Sequence, residues 1–119
     1  MLDTARLEAL GIDAEEGLAY CADDPEFYEE MLAEYIAEGS AKLNELRRFF
    51  GARDWANYLI RAHSLKSTSR MIGALGISER AHALELAAKE NDAAAILSAH
   101  EPFVADFAAL IEGLRGMIG

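Results

Sequence analysis

The chain has 119 residues, 52 % of them apolar and 27 % charged, and a formal net charge of −10. That length suits one domain over residues 1–119 with a single core, and the acidity argues against nucleic acid or an anionic membrane as partner, since phosphate groups repel such a surface. Cys21 is the single cysteine, so no internal disulfide can form; with no basic-then-apolar start and no apolar run near the roughly 18 to 20 residues of a bilayer span, a cytoplasmic location is expected unless the chain was cut from a larger membrane-anchored protein.

Helical periodicity dominates, and no run alternates apolar and polar residues in the manner of a strand. From Thr4 to about Cys21 the sequence predicts one or two small helices broken near Gly11. Asp24-Pro25 is a helix start, an acceptor at the cap and a proline where its missing N–H costs nothing. That helix is expected to reach about Phe50, with Leu32, Ile36, Gly39, Leu43, Leu46 and Phe50 on one stripe and Gly51 as its stop. Asp54 caps the next, running to about Gly73, with Trp55, Leu59, Ala62, Leu65, Ser69 and Ile72 facing the core. Ser78 is expected to cap a helix to about Glu90, and Asp92 another. Pro102 would kink this last segment or begin a new one. Phe103, Phe107, Leu110, Leu114 and Met117 follow in an apolar stripe. The expected fold is all-α: an up-down-up-down four-helix bundle over about residues 25–117, with short capping helices over about 1–22.

The chemistry concentrates in one segment. His63, Lys66, Ser67 and Arg70 stand at i, i+3, i+4 and i+7, which is one helix face. A rotation of about 100° per residue puts that face well away from the core stripe, so His63 is expected at the surface. Charge singles out the same place. Residues 1–50 carry a net −9, residues 76–119 a net −4, and residues 51–75 a net +3 from Arg53, Arg61, Lys66 and Arg70 against Asp54. A histidine therefore sits in the basic island of an acidic chain, where added phosphate would be stabilised and an acidic surface attracted. Neutral imidazole is a competent nucleophile near neutral pH. The sequence holds no phosphate-cradling glycine loop and no clear acidic triad for Mg²⁺. Ile60 and Met71 lie on the outer side of the same helix and would form an apolar docking patch beside His63, bordered by Ser64.

The segment Ala62-His63-Ser64-Leu65-Lys66-Ser67-Thr68, closed by Ile72-Gly73, resembles the phosphorylation motif of histidine-containing phosphotransfer (HPt) domains. Gly17-Leu18, the stretch from Asp24 to Leu32, and Leu84-Glu85 extend the similarity over roughly residues 11 to 115. The resemblance implies that His63 accepts a phosphoryl group and that Lys66 aids docking or neutralises phosphate charge. Ser67 stands where the family more often has glycine, and Arg70 joins the site on geometry alone. It further implies a phosphorelay carrier rather than an enzyme, without ATP-binding or autokinase activity. Its partners would be response-regulator receiver domains and an upstream sensor or hybrid histidine kinase, and it would be a monomer. No cofactor or metal is expected on this chain, because the receiver would supply the Mg²⁺.

Three other readings compete. Glu79-Arg80-Ala81-His82 is a Glu-x-x-His on a bundle helix, as in di-iron proteins, but no second such motif accompanies it, and His82 reads more simply as a partly buried helix residue. The basic island could also serve a non-catalytic helical interaction module. Finally, the chain could be the phosphoacceptor domain of a hybrid or chemotaxis-type kinase.

Overall fold

Aspartate opens most of the helices. In this computed structural model, which describes residues 3–118, the side chain of Asp3 accepts from the backbone of Arg6 to start α1 (Thr4–Ala9), and Asp13 accepts from Glu16 to start α2 (Ala14–Tyr20). Asp24 caps α3 (Pro25–Gly51), and Asp54 caps α4 (Trp55–Met71). Asp92 accepts from Ala95 at the start of α6 (Ala93–Ile118). Each carboxylate satisfies a backbone donor that the first helical turn leaves free.

The exception is α5 (Leu75–Lys89), which starts three residues before the expected cap. Ala74 holds the cap position and no side chain caps the helix. Ser78 instead lies within α5, where its hydroxyl donates to the Lys66 carbonyl at 2.8 Å and ties α5 to α4. The end of α3 falls at the expected stop, and of the two outcomes expected at Pro102 the start of a new helix is excluded. Gly51 is the last residue of α3, and the left-handed residue that turns the chain is Arg53, at φ 56°. Its guanidinium donates to the Phe50 carbonyl at 3.1 Å, which closes the helix end. Pro102 starts no new element, and α6 runs through it.

The described residues form six helices and no strand, so the chain is all-α as expected. α3 packs on α4, α4 on α5, α5 on α6, and α6 returns to α3. The enclosed core includes Leu32, Leu43, Leu46, Leu65, Leu84, Ile96, Phe103, Phe107 and Leu114. Helix α6 is long and apolar enough, by length and composition, to cross a membrane. This corrects the expectation that no segment would qualify. In this fold its Ile96, Phe103, Val104, Phe107, Leu110, Ile111 and Leu114 are spent on the core.

The N-terminal helices fix the far end of α4. Gly73 ends that helix at φ 88°, and its carbonyl accepts from the Asp13 N–H at 2.8 Å. A Cβ there would lie 2.1 Å from the Asp13 carbonyl oxygen, so only glycine fits. The buried Tyr28 hydroxyl donates to the Ile72 carbonyl at 2.7 Å. Gly17 lets the Tyr28 ring pass, since a Cβ would meet it at 2.5 Å. The helix that carries His63 is thus held at its C-terminal end by both α2 and α3.

Candidate functional site

His63 stands on the third turn of α4 with its side chain 56 % exposed, where the helical count places it. Its Nδ1 lies 2.7 Å from Oε2 of Glu85 on the neighbouring α5. The other carboxylate oxygen of Glu85 accepts from Lys66 Nζ at 2.8 Å, and His82 Nδ1 lies 3.5 Å from it. One carboxylate therefore gathers two imidazoles and an ammonium, and at 15 % exposure it is the most shielded member of the group.

Burial alone would raise the Glu85 pKa. The hydrogen bonds from Lys66, His63 and His82, with the charge of His63, outweigh it and bring the pKa down to about 2. Glu85 is therefore ionised at neutral pH and can only accept. The short contact from His63 must then be an Nδ1–H donating, which fixes the tautomer and leaves the lone pair of the neutral ring on Nε2.

The other predicted residues divide. Ser67 and Arg70 are exposed on the His63 face, and Ser64 is half-buried, its carbonyl accepting from the Thr68 hydroxyl at 3.0 Å. Ile60 is 58 % exposed. Met71 is half-buried, lining one groove with Tyr35 and Leu65 and another with Tyr20 and Lys66. It is eleven residues from Ile60, roughly 16 Å along the helix, so the two do not form one compact patch. His82 is exposed rather than partly buried.

Glu85 is the residue that sequence reasoning left out of the site. Its signal was the Leu84-Glu85 pair, noted as a family-like feature, but its distance from the motif hid its contact with His63. Leu86 beside it is 43 % exposed and adds apolar surface on α5. The basic island is also partly neutralised across helices: Arg61 pairs with Glu45 at 2.9 Å and Lys66 with Glu85. Arg53 sits 4.9 Å from the centre of the Phe50 ring. Among the described residues, Arg70 has no ion-pair partner, and no three histidine, cysteine or acidic side chains are grouped to hold a metal.

Fold and site together define a class: an all-helical protein whose exposed α4 imidazole is oriented by a carboxylate from the adjoining helix. The family model of the Hpt domain matches residues 30–117, nearly three quarters of the chain, and the protein belongs to that family. Hpt domains carry phosphoryl groups on histidine in phosphorelay signalling, working with receiver domains and histidine kinases. No curated protein and no solved structure matches the chain.

Proposed function

We propose that His63 is the phosphoacceptor of this Hpt domain and reacts through Nε2. The observation that carries this reading is the Nδ1–Glu85 contact on an otherwise exposed ring. Nε2 attacks the phosphorus of a receiver's aspartyl phosphate. An N–P bond forms as the acyl P–O bond breaks, and the aspartate leaves as carboxylate. The ring becomes a phosphoimidazolium that keeps its Nδ1–H, and the ionised Glu85 offsets the new positive charge. In the onward step a second receiver's aspartate attacks the same phosphorus and the N–P bond breaks. Mg²⁺ belongs to the receiver in this scheme, and so does the acid group that binds it.

Lys66, held by Glu85 one turn from His63, lies within reach of the phosphoryl oxygens and of an acidic receiver surface. Ser67 and Arg70 border the approach path, with Ile60 supplying apolar contact. Connections as short as residues 52–54, 72–74 and 90–92 favour antiparallel neighbours, so α3 to α6 alternate up-down-up-down as one domain with α1 and α2 as its cap. The protein is read as a monomeric, cytoplasmic relay carrier without ATP-dependent activity of its own.

The test mixes the purified protein with a ³²P-labelled receiver. Label should appear in an acid-labile, alkali-stable bond, persist in His82→Gln and in folded His100→Gln, and vanish in His63→Gln. Labelling of His63→Gln would remove the assignment. Phosphorus-coupled ¹⁵N spectra of the labelled protein should place the group on Nε2, and coupling to Nδ1 would refute the role given to Glu85.

A further inference from the structure

A cavity of about 230 Å³ opens between α3 and α4, on the opposite side of α4 from the Glu85 contact. Its walls are apolar, built from Met31, Leu65, Met71, Ile72 and Phe107. The groove is open on one side, and its volume is larger than the roughly 150 Å³ that holds benzene in an enclosed apolar cavity. One aromatic ring therefore fits.

Two polar features frame the cavity. The buried Tyr35, which lines it, shares a 2.7 Å hydrogen bond with the Ser69 hydroxyl. That bond holds the Tyr35 ring in place as part of the cavity wall. The rim, meanwhile, is acidic. Glu34, Glu38 and Lys42 stand there; Lys42 is engaged by Glu38 at 3.4 Å, and the exposed Glu34 carboxylate has no ion-pair partner among the described residues. The apolar interior wants a ring, and the free rim carboxylate wants a cation.

We propose that this cavity is a binding site for a small aromatic or short alkyl amine, its body enclosed between α3 and α4 and its ammonium paired with Glu34. The net charge of −10 favours cationic ligands over anionic ones of the same shape. The site is independent of the phosphotransfer reading, since none of its lining residues belongs to the His63–Glu85 group.

Phenethylammonium, phenylacetate and benzene serve as probes, titrated into ¹⁵N-labelled protein. Phenethylammonium should give saturable amide shifts around Met31, Thr68 and Met71, with a Kd of about 0.1–1 mM, in keeping with the affinity of a ligand so small. Phenylacetate should bind at least about tenfold more weakly, and Glu34→Gln should weaken the amine by about threefold to tenfold, as expected for a partly exposed ion pair. Glu34 is exposed, so this variant keeps the fold. Thr68→Trp should fill the cavity and abolish the shifts while retaining its helical circular dichroism. Equal binding of phenylacetate, or no effect of Glu34→Gln, would overturn the choice of ligand. Shifts that survive in folded Thr68→Trp, or saturable binding of none of the three probes, would overturn the site itself.

Discussion

At the scale of single residues, the weight falls on Glu85. Its pKa is held near 2 in the folded chain, against an ordinary value of 4.5. A carboxyl with a depressed folded pKa contributes stability that is complete above its unfolded pKa and fades as the pH falls toward the folded one. That contribution should therefore disappear between about pH 4.5 and pH 2. Urea unfolding of the parent and of Glu85→Gln at pH 6 and at pH 3 checks this: the difference between the two proteins should shrink markedly at pH 3, and a constant difference would contradict it. Ser67 offers a second test, because it is exposed one turn beyond His63, where the proposed docking would bring the receiver. Ser67→Gly should keep phosphotransfer at or slightly above the parent rate and cost up to about 1 kcal/mol of stability. Ser67→Phe should remain folded and lose transfer by steric exclusion, since small misplacements of the reacting atoms cost orders of magnitude. Stopped transfer kinetics set beside melting curves separate the two effects. The surface position of His63 was legible from helical spacing because it depends on neighbours three and four residues away. The tautomer was not, because it depends on a carboxylate 22 residues off whose partner is decided by how two helices meet.

Among the elements, the joint between α3, α4 and α6 is built around a histidine that plays no part in the site. His100 of α6 is buried, stacked on Phe50 of α3 at 3.7 Å between ring centres, with its Nδ1 2.9 Å from the Tyr58 hydroxyl of α4. Burial lowers its pKa; Glu101 opposes that shift, while Arg47 and Arg53 add to it. The unfolded chain therefore binds a proton here at a higher pH than the folded one, and stability should decline as the pH falls below about 6.5. Denaturation midpoints measured from pH 7.5 to 5.5 should show this decline. His100→Gln should flatten it while costing about 1–3 kcal/mol, the usual penalty for disturbing a buried hydrogen-bonded group; an unchanged pH dependence in that variant would remove His100 as its source. The helices themselves were readable because Asp24, Asp54 and Asp92 are local cap signals followed by periodic apolar residues. The start of α5 was misread because Ser78 looks like a cap, whereas the sharp turn at Gly73 had already begun the helix at Leu75. Tyr58 escaped the predicted stripe for a similar reason: a large polar aromatic is buried only where a partner such as His100 awaits its hydroxyl.

Across the whole molecule, an acidic body displays a basic segment, yet the folded surface is less positive there than the residue count suggests. Of the four cations between residues 51 and 75, Arg61 and Lys66 are paired with glutamates from other helices, and Arg53 lies over Phe50. Arg70 is left exposed on the face of His63 and, among the described residues, without an ion-pair partner. Long-range attraction of an acidic receiver should then depend on Arg70 more than on its basic neighbours, whose fields are largely cancelled nearby. Exposed charges act chiefly on the rate of encounter and are screened by salt, whereas apolar contacts act chiefly on the lifetime of the complex. Arg70→Glu should therefore slow association with a phosphorylated receiver by about threefold to tenfold at low ionic strength, and the difference should fade as salt approaches about 0.5 M. Ile60→Asp, at a site 58 % exposed, should instead speed dissociation and leave melting temperature nearly unchanged. Surface-coupled binding kinetics over a salt series distinguish the two variants. If Arg61→Glu slowed association as much as Arg70→Glu, the ion pairs across the helices would not be shielding the island, and the receiver would be responding to the net charge of the segment rather than to one unpaired guanidinium.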